Sequence, residues 1–275
     1  MFKLSIITIN YNNKEGLIKT VNSVANQTWK EFEYIIIDGG SNDGSKEYIE
    51  SQSQYFNYWV SEKDSGIYNA MNKGIINSNG EYLLFLNSGD CLFNNHVLFD
   101  MIDKLNTDAS FVCGHLYYEI DNEKRIRKHP DTMSFSYLVS KTVSHPSTFI
   151  KKAMFDKYGV YNEENKIISD WEFFFKALGL NGESYQKIDY TITNFDMAGI
   201  SSSEIEKVKN EKEIVLKKYL PYIFNNENDS YIFDKFRETN KRFKYLKIID
   251  NHPFFRKIVT LQLSVIVKVM TFFRK

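Results

Sequence analysis

One short stretch, Glu81 to Asp90 (EYLLFLNSGD), constrains the fold more than any other part of the chain. Its apolar run from Tyr82 to Leu86 is uninterrupted, has the length of a strand and lies between Gly80 and Gly89. Such a run is typical of a central strand that is covered on both faces of a parallel sheet. Ligands of these sheets collect beyond the carboxyl ends of the strands. The sequence therefore predicts an α/β fold with Asp90 at its ligand-binding edge.

Asp90 has two interpretations at this point. A carboxylate there can hold a divalent cation against a diphosphate, because Mg²⁺ favours one or two carboxylates together with phosphate oxygens. It can also cap the helix that is predicted to begin near Asn95. The segment by itself favours the cap, since short acidic motifs recur by chance. The motifs that flank this segment are needed to distinguish the two interpretations.

Three further strands are predicted before this one, and a polar loop follows each of them. They span Leu4 to Ile9, Phe32 to Ile37 and Tyr58 to Ser61. The loop from Asp38 to Gly44 is rich in Gly, Asn and Asp, so its backbone turns sharply and can approach a ligand closely. It is not the G-x-G-x-x-G loop of dinucleotide-binding folds, which disfavours a Rossmann dehydrogenase.

The helix after the third strand has one predicted buried face, formed by Ile67, Ala70, Met71, Gly74 and Ile75. Asp64 or Ser65 is expected to cap this helix. Asp64 then acts either as a cap alone or as part of a phosphate or ribose site, which the helix dipole supports. Three strand and helix units thus deliver three loops to one edge of the sheet.

The composition is that of a globular protein. In 275 residues, 43% are hydrophobic and 16% aromatic, enough for one ample domain or for a smaller domain with an appendage. Cys91 and Cys113 lack metal-ligand spacing and are too few for a disulfide framework, which indicates a reducing cytosol. No signal peptide is recognised before the first strand, so export by that route is not expected.

Four segments in order, SIITINYNN, IIIDGGSNDGS, SEKDSGIYNAMNKGI and EYLLFLNSGD, resemble the nucleotide-binding half of family 2 glycosyltransferases. The likeness is close over about the first 100 residues and continues more loosely to about residue 200. It implies the GT-A fold, a Rossmann-like and mainly parallel sheet with helices on both faces. The implied catalytic domain is 1–220, with a nucleotide-sugar-binding half at 1–105 and an acceptor-side half at 106–220. A basic, helical C-terminal extension would occupy 221–275.

The resemblance also implies roles for residues that bind a nucleotide-sugar donor. Tyr11 would pack near the base, and Asp38 would accept a hydrogen bond from it. Asp64 and Asn72 would lie near the ribose and diphosphate, and Ser88 would lie at the donor as well. These roles are expectations for the three loops and for the polar turn after the central strand.

Asp90 matches the last acidic residue of the DxD-type motif in this family, the metal ligand. Asn87 and Gly89 stand at positions that are more often Asp. The resemblance therefore implies a divalent cation, Mg²⁺ or Mn²⁺, held by Asp90 together with phosphates and water.

The segment from Ile167 to Phe175 (IISDWEFFF) contains the second acidic candidate. Ser169 is predicted to cap a helix and to place Asp170 in its first turn, where the dipole keeps a carboxylate ionised. Asp170 matches the catalytic base of the ED-type motif in the family. The alternative is a helix acid without chemistry, and the motifs that precede it favour the base.

Two other segments match the acceptor side of the family. His145 begins HPSTF, although a single histidine is more often a hydrogen-bonded structural residue than a catalyst. Gly199 and Ser201 belong to NFDMAGIS, a loop that resembles the GGxS segment of the family and is expected to close over donor and acceptor. The same two residues can simply form a turn and the N-cap of a helix from about Ser203 to Tyr219.

A hairpin is predicted between the second acidic candidate and the central strand. Leu116 to Ile120 and Lys124 to Lys128 alternate around a turn at Asp121. The basic residues of its second strand, Arg125, Arg127 and Lys128, are interpreted as a solvated face.

The C-terminal segment has a different charge. Between Lys235 and Lys275, eleven Lys and Arg residues face two acidic ones, so this part carries +9 and the remainder −9. A narrow polar stripe is predicted on an otherwise apolar helix, at Lys257, Thr260, Ser264, Lys268, Thr271 and Lys275. The longest uncharged run, Ile258 to Val267, is half of what a spanning helix needs. Residues 252–275 are therefore expected to lie on a membrane surface; packing on the domain or on a second subunit of a homodimer is the alternative.

The sequence predicts an inverting glycosyltransferase that uses a nucleotide-sugar, a UDP-sugar, and a saccharide or polyprenyl-linked saccharide acceptor. It is expected in the cytoplasm, peripherally attached to the inner face of the membrane, with no nucleic-acid partner. A nucleotidyltransferase is the second hypothesis, and the lack of a Gly-rich, basic loop after the first strand counts against it. A catalytically inactive nucleotide-sugar-binding protein is the third; Asn87 and Gly89 keep it open, and Asp170 argues against it.

Overall fold

The computed structural model describes residues 2–197, 199, 204–221, 245, 248–249 and 252–272. Its strands are β1 (Leu4–Asn10), β2 (Glu33–Asp38), β3 (Tyr58–Ser61), β4 (Tyr82–Phe85), β5 (Cys91–Leu92), β6 (Phe111–Ile120), β7 (Glu123–Arg127), β8 (Thr148–Lys151) and β9 (Tyr185–Asn194). Its helices are α1 (Lys14–Ala25), α2 (Ser45–Ser51), α3 (Ile67–Ile76), α4 (Val97–Ile102), α5 (Phe135–Ser140), α6 (Ala153–Tyr158), α7 (Ser169–Phe174), α8 (Ile205–Tyr219) and α9 (Pro253–Phe272).

The strands form one sheet in the order β3-β2-β1-β4-β8-β6-β9-β5, with β7 paired to β6. The first four strands are parallel, and every residue of β1, β2 and β4 is buried. This is the arrangement that the continuous apolar runs predict. Asn10 pairs with Asp38 and Asp38 with Ser61, so the carboxyl ends of three strands meet at one edge.

The second half of the sheet is mixed. β8 runs antiparallel to both β4 and β6, whereas β9 runs parallel to β6. The predicted hairpin is confirmed as β6 and β7, with Asp121 and Asn122 at φ 52 and 62 in its turn. Two adjacent residues with positive φ are what a two-residue type I′ turn requires.

Helix α3 lies against the parallel strands through the face that its sequence predicts. Ala70, Met71, Gly74 and Ile75 are buried. A Cβ on Gly74 would overlap with the side chain of Ile7 in β1, so this helix approaches the sheet as closely as a glycine allows. The close approach sets the position of the other residues that α3 carries toward the ligand edge.

An aromatic cluster underlies α7. The rings of Phe155 and Phe173 stack with centroids 4.5 Å apart, and Tyr161 meets both of them edge to face at 5.4 and 5.6 Å. Phe111 contacts Phe174 at 5.6 Å from the sheet side. These contacts fix α7 on the sheet, since aromatic pairs of this geometry add to the burial of their area.

Two compact units are found, Met1–Lys212 and Glu213–Lys275. Helix α8 runs across this division, so the predicted domain boundary between 220 and 221 stays a prediction. In the second unit, α9 exposes large apolar side chains between residues 254 and 266, including Phe254, Leu261 and Val265. Among the helices that the structure describes, none is both long and apolar enough to cross a membrane.

Candidate active site

A cavity of about 490 Å³ lies at the ligand edge of the sheet. Its lining includes Asn13 after β1, the turn Asn87, Ser88 and Asp90 after β4, His145 before β8, Asp170 and Trp171 on α7, and Lys212 on α8. Its volume lies in the range of small-molecule sites. The two carboxylates that the sequence singles out for a metal and for a base, Asp90 and Asp170, therefore meet in one place.

Asp90 is 2% exposed. Its Oδ1 accepts a hydrogen bond from the Asp196 backbone N–H at 3.0 Å, while its Oδ2 is buried and has no partner among the described residues. Burial raises the pKa of this carboxyl to about 7, although the Asp196 N–H and the charge of His145 act in the opposite direction. Helix α4 begins only at Val97 and, within the described chain, receives no side-chain cap. The interpretation of Asp90 as a helix cap is therefore wrong.

The donor atoms around Asp90 fit a divalent cation. Asn87 Oδ1 lines the same cavity and is likewise buried with no partner in the described part of the chain. Carboxylate and amide oxygens are ligands that Mg²⁺ and similar hard cations accept. No group of three His, Cys, Asp or Glu side chains suited to a metal occurs in the described residues. A cation at Asp90 would therefore share its coordination with the diphosphate.

Gly89 explains why the usual acidic pattern is altered here. Its φ is 109, which favours glycine, and a Cβ at this position would overlap with Asp196 Oδ2. An Asp at position 89, which the family pattern has more often, would be strained by this φ and would require Asp196 to move. Asp196 reaches this point because β5 pairs with the end of β9, Cys91 opposite Asn194. No local sequence pattern indicates a role for Asp196, since the pairing is long-range.

Asp170 lies in the first turn of α7, as predicted. The Tyr68 hydroxyl lies 2.9 Å from its Oδ1, and His145 Nδ1 lies 3.1 Å from its Oδ2. Burial acts to raise the pKa of this carboxyl, but the hydrogen bonds of His145 and Tyr68 outweigh it and the pKa falls below its ordinary value. Asp170 is therefore ionised at neutral pH. Tyr68 was missed by sequence reasoning, because it sits on a helix whose pattern indicates only a buried face.

The predicted cap of α7 is wrong in detail. The helix begins at Ser169 itself, whose buried Oγ has no partner among the residues described. Instead, the Glu211 carboxylate on α8 accepts hydrogen bonds from the N–H groups of 166, 167 and 168, at 3.0, 3.0 and 3.3 Å. Trp171 Nε1 donates to the Leu138 carbonyl at 2.7 Å. Partners that are distant in sequence hold Asp170 in place, and no local signal points to them.

Asp38 has a different environment, although it ends the neighbouring strand β2. It is 0% exposed, and four donors surround its carboxylate. They are Asn10 Nδ2 at 2.7 Å, Ser41 Oγ at 2.6 Å, Ser41 N–H at 3.0 Å and Ser61 Oγ at 2.6 Å. The pKa of Asp38 is lowered because these donors outweigh its burial. The carboxylate ties three strand ends together, and a nucleobase would have to replace one of its present donors.

Tyr11 and Asp64 are brought together beside Gly39. A Cβ on Gly39 would lie 2.5 Å from Asp64 Oδ2 and 3.2 Å from the Tyr11 ring, and that ring is 66% exposed. Asp64 Oδ1 accepts a hydrogen bond from the Gly66 N–H at 3.0 Å. Gly66 is the N-cap of α3, and within the described residues no side chain caps this helix. The prediction that Asp64 or Ser65 caps it is therefore wrong.

The side chain of Asn72 forms hydrogen bonds with other residues of the chain. Its amide exchanges hydrogen bonds with the Tyr161 backbone at 2.9 Å in both directions and donates to Glu163 at 3.0 Å. The described lining of the cavity does not include it. The structure thus gives Asn72 a structural role in place of the expected contact with ribose or diphosphate.

The remaining predicted residues divide as follows. Ser88 and Gly199 line the cavity, and Ser201 lies outside the described residues. Strand β7 is exposed along its length, which confirms the solvated face, yet Arg127 also lines the cavity together with Lys166 and Lys212. Three basic residues therefore line the cavity together with its carboxylates, a composition that suits an anionic ligand.

This fold has counterparts among solved structures. The chain matches S. aureus TarS in complex with UDP-GlcNAc with a TM-score of 0.60 at 19% identity, over 82% of this chain and 74% of that one. It spans only 44% of a longer TarS chain. It also matches the mannosyltransferase PcManGT from Pyrobaculum calidifontis, in complex with GDP-Man and Mn²⁺, with a TM-score of 0.60 at 13% identity, over 80% and 64% of the two chains. The expected GT-A fold is confirmed.

Sequence comparison identifies the family. Residues 5–169 match the family model described as Glycosyl transferase family 2. A protein of Mycobacterium tuberculosis (strain CDC 1551 / Oshkosh), named an uncharacterized glycosyltransferase, is 32% identical over 203 residues, 72% of this chain and 77% of its own length. The chain belongs to glycosyl transferase family 2.

Proposed function

We propose that this glycosyltransferase moves a sugar from a UDP-sugar to a hydroxyl group of a saccharide or polyprenyl-linked saccharide, with inversion at the anomeric carbon. The observation that carries the proposal is that Asp90 and Asp170, from opposite halves of the domain, line one cavity. A single displacement needs a base at the attacking oxygen and charge stabilisation at the departing diphosphate. The two aspartates are suited to these separate tasks.

Asp170 acts as the base. Its lowered pKa keeps it ionised, and Tyr68 and His145 hold its two oxygens in a fixed orientation. It accepts the proton of the acceptor hydroxyl while that oxygen bonds to the anomeric carbon and the bond to the diphosphate breaks. The proton stays on the Asp170 carboxyl group, and the electron pair of the broken bond goes to the diphosphate.

Asp90 and Asn87 would hold a divalent cation, Mg²⁺ or Mn²⁺, since their buried oxygens lack partners within the described chain. Such a cation, when bound, neutralises the charge that develops on the leaving diphosphate. The Mn²⁺ in the PcManGT complex supports a metal in this fold. Arg127, Lys166 and Lys212 add positive charge to the same cavity.

Tyr11 and Asp64 bind the nucleoside, because the exposed ring and the half-buried carboxylate meet beside Gly39 at the ends of three strands. Asp38 organises this place through its four donors. The UDP and UDP-GlcNAc complexes of TarS support uridine as the nucleoside. Ser88, in the turn after β4, lines the cavity.

Helix α9 attaches the enzyme to the cytoplasmic face of a membrane, where a lipid-linked acceptor is found. Its exposed apolar side chains accompany Arg256 and Lys257, and Lys257, Thr260 and Ser264 line one shallow surface as the predicted stripe requires. Apolar contact and basic groups together favour anionic lipid surfaces. Removal of the residues after Asp250 should release the protein from phosphatidylglycerol vesicles in a flotation assay. Equal retention of the shortened chain would contradict the attachment.

The function is tested by incubating the chain with UDP-sugars and GDP-sugars, Mn²⁺ and saccharide acceptors, and by measuring nucleoside diphosphate release. We expect UDP release that depends on an acceptor, with the opposite anomeric configuration in the product by NMR. A parallel incubation with UTP and sugar 1-phosphates tests the nucleotidyltransferase. Formation of pyrophosphate there, without transfer from any donor, would overturn the proposal.

A further inference from the structure

Buried polar atoms without partners are concentrated in the cavity. In the described chain, nine buried side-chain nitrogen and oxygen atoms lack a hydrogen-bond partner. Four of them belong to residues that line the cavity, namely Asn87 Oδ1, Asp90 Oδ2, Ser144 Oγ and His145 Nε2. Buried polar groups in proteins are nearly always paired. A cluster of exceptions in one place indicates a polar ligand that completes them.

His145 has a defined tautomer at this site. Its Nδ1 lies 3.1 Å from Asp170 Oδ2. An ionised carboxylate only accepts hydrogen bonds, so Nδ1 carries a proton. In the neutral ring the lone pair is then on Nε2, the atom without a partner in the described chain. A carboxylate on one ring nitrogen and a free lone pair on the other is the arrangement that supports metal-bound histidines.

We propose that His145 Nε2 is a ligand of the divalent cation at Asp90, with Asp170 fixing the orientation of the ring. Asn87 Oδ1 supplies a further oxygen, and diphosphate oxygens and water complete the coordination. The inference rests on the proposed function. It adds a nitrogen ligand, from the acceptor-side half, to a site that the resemblance assigns to Asp90.

The three donor atoms, Asn87 Oδ1, Asp90 Oδ2 and His145 Nε2, are buried, and their residues line one cavity. Mg²⁺ and its analogues bond at about 2.0 to 2.1 Å, so a cation fits between donor atoms where a water molecule does not. Donors that surround such a position are buried and unpaired until the cation binds.

A nitrogen ligand would also compensate for the carboxylates that the DxD-type motif lacks in this chain. Positions 87 and 89 hold Asn and Gly, so the turn after β4 offers a single carboxylate, Asp90. Imidazole is a better ligand for transition metals than for Mg²⁺. The site is therefore expected to prefer Mn²⁺ over Mg²⁺, and His145 is the source of that preference.

The chain contains a matched control. His115 is also buried, and its Nε2 lies 2.6 Å from Asp189 Oδ1. Its other nitrogen, Nδ1, is buried and unpaired in the described residues. The described cavity lining does not include His115. His115 thus shares the chemistry of His145 without its location.

The test is a titration of the full chain with Mn²⁺ in the presence of UDP, with free Mn²⁺ followed by electron paramagnetic resonance. His145→Asn keeps an amide donor near the Nδ1 position and removes the Nε2 ligand. We expect it to weaken Mn²⁺ binding by roughly 10- to 100-fold and to reduce the preference for Mn²⁺ over Mg²⁺. The nitrogen modulation in the electron spin echo of bound Mn²⁺ should disappear. His115→Gln should leave all three unchanged, and circular dichroism checks the folding of both variants.

Three outcomes would overturn the inference. The first is wild-type Mn²⁺ affinity and preference in a folded His145→Asn variant. The second is loss of turnover in that variant with unchanged Mn²⁺ binding, which would leave His145 only the role of holding Asp170 in place. The third is full transfer activity of the wild type in excess chelator, which would leave the transferase proposal intact and remove the metal from it.

Discussion

Two buried aspartates at the same edge of the sheet have opposite surroundings. Asp38, at the end of β2, has four hydrogen-bond donors, and its pKa is lowered. Asp90, after β4, has the N–H of Asp196 on one oxygen, while the other lacks a partner in the described chain and burial raises its pKa to about 7. The difference teaches that burial of a carboxylate does not by itself mark a ligand site. A missing partner on a residue that lines a cavity does.

The same contrast separates two regions of the domain. At the strand ends, the Asp38 carboxylate has its hydrogen-bond donors without a ligand and holds loops together, although Asn10 Oδ1 beside it is buried without a partner in the described chain. The cavity contains side chains whose polar atoms are left over after folding. An unpaired buried polar group costs about 1 to 3 kcal/mol, and a ligand that pairs it recovers that free energy on binding. The predictions below test this division.

The largest effect is expected at the base. Asp170→Asn should lower kcat by roughly 10²- to 10⁴-fold, because it removes the proton acceptor. The measurement is UDP release at saturating donor and acceptor. Asp189→Asn is the control, since Asp189 also pairs with a histidine but is not among the described cavity residues. A folded Asp170→Asn enzyme with wild-type kcat would break the assignment of the base.

Asp90→Asn should have two effects of opposite sign. It should abolish the response of turnover to Mn²⁺, and it should stabilise the metal-free protein above neutral pH. The pKa of this carboxyl rises from 3.8 to about 7 on folding, so the folded state binds the proton more tightly. Stability from Asp90 is then fully present below pH 4 and is lost as the pH rises to 7.

The expected gain for Asp90→Asn is roughly 4 kcal/mol at most at pH 8, and close to none at pH 4. Thermal unfolding at the two pH values measures it. A variant that is less stable than the wild type at pH 8 would show that Asp90 has all the partners it needs. The contrast with Asp38 would then disappear.

Asp38→Asn should destabilise the protein by about 2 to 3 kcal/mol at pH 7, because hydrogen bonds to a charged acceptor are lost. The pKa of Asp38 is lowered on folding, so its contribution is present above the unfolded value and is lost as the pH falls through the folded one. The deficit of the variant should therefore shrink in acid. Urea unfolding at pH 7 and pH 3 measures this change. An equal deficit at both values would contradict the ionised network.

The smallest effect is expected at the proposed nucleoside site. Gly39→Ala adds a Cβ that would lie 2.5 Å from Asp64 Oδ2 and 3.2 Å from the Tyr11 ring. These groups must move apart, which should raise the donor KM roughly tenfold with little change in kcat. Steady-state kinetics with the donor varied measure both constants. An unchanged KM would separate Tyr11 and Asp64 from the donor.

Local patterns predicted the parallel half of the fold correctly. The buried strands, the face of α3 and the β6–β7 hairpin depend on neighbouring residues, and each appears where its sequence indicates. The predicted cap at Ser169 is wrong because a group distant in sequence replaces it, and the predicted cap at Asp64 is wrong for a local reason. The Glu211 carboxylate accepts hydrogen bonds from the N–H groups before α7. The Asp64 carboxylate accepts one from the Gly66 N–H, two residues away.

The candidate site was predictable only in part for the same reason. Asp90 and Asp170 carry motif signals, so the sequence identifies them singly. The contact of Asp196 with Asp90, the bond between His145 and Asp170 and the hydroxyl of Tyr68 all join residues far apart in the chain. The spacing of residues in the sequence does not predict these contacts, because they depend on the pairing of β9 with β5 and on the packing of α3 and α7. Asn72 shows the converse, a motif residue that the fold uses for structure.

The most direct test is a crystal grown with Mn²⁺ and UDP, with anomalous diffraction data collected at the manganese edge. We expect one strong peak in the cavity, bonded to Asp90 and to the diphosphate, with Asp170 on the far side of the vacant sugar position. A manganese peak at the Asp38 network, or a diphosphate bound away from Asp90, would contradict the division of the molecule into a completed region and a ligand-binding one.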